Sequence, residues 1–499
     1  MIGGSLRGRY PVVAAIALLG LCPYVVLSTV LFPLQRVLAT QLHASPTGLQ
    51  LAAGMSNAAY AVGAVSAAQA AQRVGQRRLF LGYQAAFVVG SLLAAGAGGI
   101  VPWFVGRVLQ GAAAGGMLIS ALPPLITRFG VGRLPLTVVI VDVGLFGAIT
   151  LGPVLGGEVA VAGSWRLLML AVAAVAAVGL GAALVGYPQL DPLDPDLRVD
   201  RAALGLALVA TVGTFFATSW LSGSSLGDPM VLAPLALGLV AVVVLLVVER
   251  RKDDALIPVS RLATQLPVTG TLVAMVGGAV FVTLFELTQT WLAQVDKQAP
   301  DAAGWLFWPM PVGLTAAAVA FGLLFRTRFV PVLAVTGLLA LAGAAAMLVG
   351  LGSSRSGWLV PLAALLLGFG AGATVSPGLF MTGLGMPSTA LGRAFALVQL
   401  LRSIVTFAVG PVVVHLAITA SSVDQGIRAG MLAMLLLASA CLAAALLLPA
   451  LSGARLRVPD LEGWLDGGQA LPSPATAVHA RPGVTDAAAQ PLVPRRRRR

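Results

Sequence analysis

The stretch Gly147–Arg166 reads GAITLGPVLGGEVAVAGSWR. It puts a Gly-Pro and a Gly-Gly inside an apolar run long enough to cross a bilayer, where backbone polar groups find no water to satisfy them. Such breakers are tolerated at that depth when a neighbouring helix lies close by. Gly144, Ala148, Gly152 and Gly156 recur every four residues, which predicts one ridge of small side chains along a helix and a close neighbour upon it. Pro153 lacks the amide that would bond to the Ile149 carbonyl, so the ridge is expected to be bent as well as smooth. Gly157 ends the run.

The rest of the chain agrees with a membrane bundle. Of 499 residues, 58% are hydrophobic and 10% charged. An average soluble protein carries about 25% charge. Apolar runs fall at about 11–33, 47–71, 79–99, 101–125, 136–157, 166–187, 202–221, 230–248, 268–293, 303–325, 329–351, 357–383, 390–419 and 429–451. Each approaches the roughly 20 residues that a spanning helix needs. The expected fold is therefore an all-α polytopic membrane protein of about fourteen helices. The basic opening MIGGSLRGRY leads into a first run too long for an ordinary cleaved signal, and is expected to stay as the first helix.

An even number of spans puts both termini on one side. On that count Arg36, Arg166, Lys297, Arg355 and Arg428 fall on the far side, Arg107 and Arg402 inside spans, and every other Lys and Arg on the side of the termini, which marks it as cytoplasmic. Trp103, Trp165, Trp220, Trp291, Trp305, Trp308 and Trp358 gather near the outer helix ends, where an amphipathic ring prefers the interface. This orientation accounts for the net charge of +13 without nucleic acid, and no nucleic-acid partner is expected. Cys22 and Cys441 fall inside spans and imply packing rather than a disulfide or a metal. The polar links Asp191–Arg201 and Glu249–Arg261 bracket one helix pair. They divide the chain into a six-helix bundle over 1–190, a linker with two added helices over 191–262, a second six-helix bundle over 263–451, and a disordered basic cytoplasmic tail over 452–499 whose terminal arginines suit anionic lipid.

Several motifs carry a family resemblance. The string GPVLGG with SWR after a short loop resembles the antiporter motif of the major facilitator superfamily, here Gly144, Gly152, Pro153, Gly156 and Gly157. The resemblance implies a kinked glycine face between two six-helix halves that favours export. GRVLQGAAAGG supplies Arg107, Gln110 and Gly111 in the family's RxxQG pattern, and AQRVGQRRLF is similar to its signature loop at Arg73, Gly75, Arg77 and Arg78. The central ERRKDDALIPVSRL resembles the link after the inserted helix pair in the fourteen-helix drug:proton antiporters of the EmrB/QacA type. Two positions depart from the pattern: Gln72 and Tyr24 stand where the family usually carries acidic residues.

Asp142 and Glu286 are the two acidic residues clearly inside spans, and a carboxylate at that depth is paired, kept neutral, or placed in a watery path. Arg107 and Arg402 are the natural counter-charges, and His415 is a further titratable residue near an outer helix end. With Tyr24 at the usual acidic position, coupling is assigned to Glu286, whose helix should line the central cavity, and then to Asp142 nearer the inner rim. The expected function is secondary active transport across the cell membrane: proton-coupled efflux of a hydrophobic or amphipathic small molecule, a drug or a lipid. A facilitator or importer of a small solute, or a transport-inactive scaffold or sensor whose tail binds lipid or a partner, stand as alternatives. No metal-ligand cluster, nucleophile elbow or phosphate loop is present, so neither an enzyme nor a cofactor is expected. Reporter fusions at successive links are expected to alternate, with those before Tyr10 and after Leu451 both cytoplasmic; a reporter after Leu451 that reads outside would overturn the topology.

Overall fold

A computed structural model describes residues 8–189, 192, 199–252, 264–453, 456–471 and 473. The long helices are α1 (Tyr10–Val30), α2 (Pro46–Arg73), α3 (Gln76–Ala95), α4 (Ile100–Thr127), α5 (Val131–Ala162), α6 (Trp165–Gly186) and α7 (Arg201–Gly223). They continue as α8 (Pro229–Arg251), α9 (Gln265–Gln294), α10 (Pro300–Leu324), α11 (Val330–Val349), α12 (Ser356–Leu384), α13 (Ser388–Ile418) and α14 (Val423–Leu451). Thirteen of them, among the described residues, are long and apolar enough to cross a membrane. The other, α2, has 28 residues, but Gln50, Ser56, Asn57, Ser66, Gln69 and Gln72 make it less apolar.

Local chemistry sets several ends. Ser45 accepts a hydrogen bond from the Gly48 amide, with Pro46 opening α2; Asp228 accepts from the Met230 amide, with Pro229 opening α8. Gly163 turns left-handed at φ 63° and stops α5, as glycine does at many helix ends. Asp200 accepts from the Ala203 amide at the start of α7 and also meets Lys252, which bonds to Glu249 at 2.7 Å. Burial pushes Asp200 up, but the Lys252 ammonium and the Ala203 amide outweigh it and hold the carboxyl below its usual range.

In the N-terminal half α2 and α3 pack on α4, α6 packs on α3, and α1 lies against α5 and α6. In the C-terminal half α12 touches α9, α10 and α11, while α13 packs on α9 and α14 on α11 and α9. The pair α7–α8 packs on itself and reaches the halves through α7, which touches both α2 and α13. The halves meet along two lines, α2 with α13 and α5 with α10.

Helix α5 shows how its breakers are accommodated. Its small-residue ridge faces α1: Gly144 meets Leu18, Gly152 meets Thr29, and Gly156 meets the Val30 carbonyl and Pro33. The ridge therefore lies within the N-terminal half, whereas the family resemblance places the glycine face between halves. A Cβ on Gly152 would collide with Thr29 Oγ1, so no larger residue fits there. That hydroxyl donates to the Ile149 carbonyl at 2.7 Å, the acceptor that Pro153 leaves without an amide. A π-helical turn at Asp142–Phe146 interrupts the same helix, and Cys22 Sγ donates to its Gly144 carbonyl at 3.0 Å. The other face of α5 runs antiparallel along α10: Gly157 touches Pro300, Pro153 touches Gly304, Val139 touches Gly322, and Arg326 Nη2 donates to the Val131 carbonyl at 2.8 Å.

Within the tail, residues 456–471 depart from the expected disorder. Residues Leu461–Leu465 form a short helix, α15, and Trp464 is fully buried, its Nε1 donating to the Met386 carbonyl at 2.9 Å. The amides of Ala470 and Leu471 both donate to the Leu384 carbonyl, and α15 also contacts Val131–Arg133 of the other half. Enough apolar side chains, Leu461, Trp464 and Ala470, are buried to hold the segment down. The terminal arginines, most of both polar links and the first seven residues lie outside the described residues. Trp305, Trp308 and Trp358 are exposed as interfacial rings should be, while Trp103, Trp165 and Trp291 are buried. Trp165 and Trp291 direct their N–H to Gln41 and Asp424, as a buried indole must find an acceptor.

The proline repair makes a specific prediction. Thr29→Val leaves the Ile149 carbonyl unsatisfied and should lower stability by about 0.5–2 kcal/mol, the span measured for interhelical bonds in membranes. In a Pro153→Ala background the restored amide serves that carbonyl and the cost should largely vanish. A double-mutant cycle by denaturant unfolding in micelles checks this; equal costs in both backgrounds would refute the repair.

Candidate functional site

A central cavity of ≈ 70 Å³ lies between α1, α2, α4 and α5 on one side and α12 and α13 on the other. Leu21, Leu118, Leu145, Phe146, Ile149, Phe380 and Phe395 give it an apolar wall, and Tyr24, Tyr60, Ser376, Gln399 and Arg402 are its polar members. Drug-sized ligands occupy pockets of ~300–1,000 Å³, so the halves are closed down here and must part to admit cargo of that size.

The polar members are joined across the interface. Gln399 Nε2 donates to the Tyr60 hydroxyl at 2.8 Å, and Arg402 Nε donates to Gln399 Oε1 at 2.7 Å, so α2 and α13 share one hydrogen-bonded chain. Tyr24 stacks on Tyr60 with centroids 5.4 Å apart, and its hydroxyl donates to Asn57 Oδ1 at 3.1 Å. Behind Tyr24 the buried Arg107 guanidinium sits 5.7 Å from the ring centroid. The negative face of the ring attracts a cation at that range. Arg107 Nη1 donates to Gln110 Oε1 at 2.6 Å, and Gln110 passes the chain to Ser91 at 2.9 Å. Gly111 brings the α4 backbone so close to the Ser56 carbonyl of α2 that a Cβ would collide with it. A tyrosine in the usual acidic place thus meets the arginine through its π face.

Neither acidic residue meets an arginine. Among the described residues the ion pairs are those of Lys252 and of Arg428 with Asp424, so the expected pairing of Asp142 and Glu286 with Arg107 and Arg402 does not form. Asp142 is fully buried on the π-helical turn, and Ser376 of α12 donates to its Oδ1 at 2.8 Å, across the interface between halves. Its other oxygen has no partner in the protein. Asp142 does not itself line the cavity, but its neighbour Val141 and its partner Ser376 do. Glu286 does not line the cavity. It points between α9 and α13 toward Gly410, two turns beyond Arg402, because the α9 face that carries it turns to α13.

The remaining motif residues lie at the end of the bundle where α1 begins and α14 ends. Gly75 opens α3, Arg77 Nη2 donates to the Leu184 carbonyl of α6 at 2.6 Å, and Arg73 and Arg78 are exposed. Gln72 donates to Ala68 of its own helix. His415 is half-buried near the far end of α13. Sequence reasoning missed Ser376, Tyr60 and Gln399. Gln399 had a signal, since Gln399 and Arg402 repeat at i, i+3 the Arg107–Gln110 pairing of the other half.

The sequence profile of the Major Facilitator Superfamily matches residues 16–411. An uncharacterized MFS-type transporter of Bacillus subtilis, YubD, is 25% identical over 79% of this chain and 78% of its own length. The tetracenomycin C resistance and export protein of Streptomyces glaucescens is 28% identical over 66% of this chain and 61% of its own. A multidrug resistance protein B homolog of Mycobacterium tuberculosis is 27% identical over 62% and 58%, so the match spans less than two thirds of these two resistance proteins. In fold, the chain resembles the human organic anion transporter MFSD10 with TM-score 0.61 and 16% identity, over 87% of this chain and 100% of that one. A POT family transporter in complex with 5-aminolevulinic acid gives 0.65 and 14%, over 88% and 96%.

The two faces of α5 should respond differently to bulk. Gly152→Leu collides with Thr29 inside one half. It should reduce folded protein, as overpacking costs about 1–3 kcal/mol. Gly157→Leu meets the Pro300 carbonyl across the halves, and should leave folded protein while slowing transport. Fluorescence-detected size exclusion alongside vesicle efflux separates the two; identical profiles would show that the faces are equivalent.

Proposed function

Because this chain belongs to the major facilitator superfamily and is an integral membrane transporter rather than an enzyme, we propose that it exports hydrophobic or amphipathic compounds, drugs or lipids, in exchange for protons. The carrying observation is the central cavity, apolar along most of its wall, with two tyrosines of one half facing Gln399 and Arg402 of the other. Such a wall suits a molecule with an apolar body and a polar end, and Arg402 favours neutral or anionic cargo over lipophilic cations. The inserted α7–α8 pair and relatives named for resistance and export support the fourteen-helix drug:proton antiporter branch. Charge asymmetry supports cytoplasmic termini in the cell membrane.

For coupling, Asp142 has the more direct geometry. It keeps the bond from Ser376 only while the halves are closed, so its proton affinity changes as they part. A carboxylate at membrane depth with no cation beside it depends on such hydrogen bonds or on water. Glu286 is the second coupling carboxylate, set off the cavity on the α9–α13 seam.

In proteoliposomes, Asp142→Asn and Glu286→Gln should each lower substrate-driven proton flux by about tenfold or more while cargo still binds. A panel of neutral, anionic and cationic amphiphiles tests the cargo class. If both variants keep wild-type coupled flux, the antiport reading fails and a facilitator takes its place.

A further inference from the structure

The seam between α9 and α13 holds polar groups that the cavity does not use. Thr283 Oγ1 on α9 and Thr406 Oγ1 on α13 are buried and have no hydrogen-bond partner in the protein. Buried hydroxyls in helices ordinarily bond back to the carbonyl one turn earlier. Thr288 and Thr290 of α9 do so at 2.7 and 2.8 Å, as does Thr374 of α12 at 2.7 Å. Thr283 and Thr406 instead turn toward glycines on the facing helix. A Cβ on Gly278 would lie 3.1 Å from Thr406 Oγ1 and 3.7 Å from Arg402 Nη1. A Cβ on Gly410 would lie 3.0 Å from Glu286 Oε2 and 3.4 Å from Thr283 Oγ1.

Two glycine notches thus stand one above the other, each with a charged group and an unpartnered hydroxyl converging on it. One holds Arg402, which also lines the cavity; the other holds Glu286, whose carboxylate makes no hydrogen bond or ion pair among the described residues. Beyond Glu286, the Gln289 Nε2 amide is also buried without a partner. An orphaned buried polar group costs about 1–3 kcal/mol, and internal water characteristically satisfies several such groups at once.

We propose that this seam holds a file of internal water molecules joining Glu286 to the central cavity at Arg402 and carrying the proton between them. Thr406 and Gly410 are four residues apart, a rise of roughly 6 Å. Two or three waters at the usual ~2.8 Å hydrogen-bond step cover that distance. The proton moves as a relay: each water accepts one on one side and releases another on the next, and the carboxyl of Glu286 ends the chain. The proposal rests on the reading that Glu286 changes protonation during transport.

The test combines a map with a flux assay. Electron cryomicroscopy of the full chain in lipid nanodiscs, at about the 2 Å needed to see water, should show density within hydrogen-bond reach (~2.7–3.0 Å) of Thr283 Oγ1, Thr406 Oγ1 and the Glu286 carboxylate. A seam without water, its hydroxyls turned back to their own helices, would overturn the proposal. So would a single density at the ~2.3–2.6 Å spacing of a bound cation. In proteoliposomes the Thr283→Val, Thr406→Val pair should reduce substrate-driven proton flux about tenfold and leave cargo exchange at symmetric pH intact, with serine at both positions restoring the flux. Loss of flux in Glu286→Gln with full flux in the double valine variant would reject the water file and keep the antiport reading. Full flux in Glu286→Gln would reject the role of Glu286 itself.

Discussion

The hydrogen bond from the Thr29 hydroxyl to the Ile149 carbonyl lets α5 carry a proline at membrane depth. Pro153 removes an amide, and without an outside donor the freed acceptor would sit unsatisfied inside the bundle. Thr29 can reach it only because Gly152 has no side chain in the way. Glycine ridge, proline and threonine are therefore one device, and none of the three is useful alone. With α5 tied to α1 by polar bonds from Thr29 and Cys22, its opposite face is free to meet α10 through small residues and carbonyls. One face is fastened within its own half and the other meets the opposite half.

Charge inside the membrane is handled by dispersal rather than pairing. Arg107 rests on the Tyr24 ring and Gln110, Arg402 on Gln399, Asp142 on Ser376, and Glu286 in the seam beside Thr283. An ion pair buried in low dielectric is hard to open, because separating its members strands two charges. Neutral partners cost less to leave. A protein whose halves must separate and rejoin gains from bonds such as Tyr60–Gln399 and Ser376–Asp142, which cross the interface without locking it.

Much of this was legible in the sequence. The fourteen runs, the small-residue ridge and the inserted helix pair follow from hydropathy, spacing four, and polar links, all of them local patterns. The partners were not. Thr29 lies 120 residues from Ile149 and Ser376 lies 234 from Asp142, and nothing in the sequence separates these hydroxyls from many others in spans. Pairing acids with arginines by elimination failed because it treats the membrane as empty of alternative partners, whereas tyrosine, glutamine and serine were all within reach. The cavity assignment for Glu286 failed for a rotational reason: spacing shows which residues share a face, and only packing decides where that face points. The tail misled through composition, since a few buried anchors at Leu461, Trp464 and Ala470 outweighed an otherwise polar stretch.

The docked tail also sets an order of events during synthesis. Residues 456–471 leave the ribosome after all fourteen long helices, so the Leu384 and Met386 carbonyls have no partner from the tail while the helices are being inserted. The contact between α15 and Val131–Arg133 joins segments more than 300 residues apart in the chain, so it forms only after the second of them has been made. A chain stopped just past Leu451 would carry the fourteen long helices described and lack the clasp across that face, which the buried indole of Trp464 anchors.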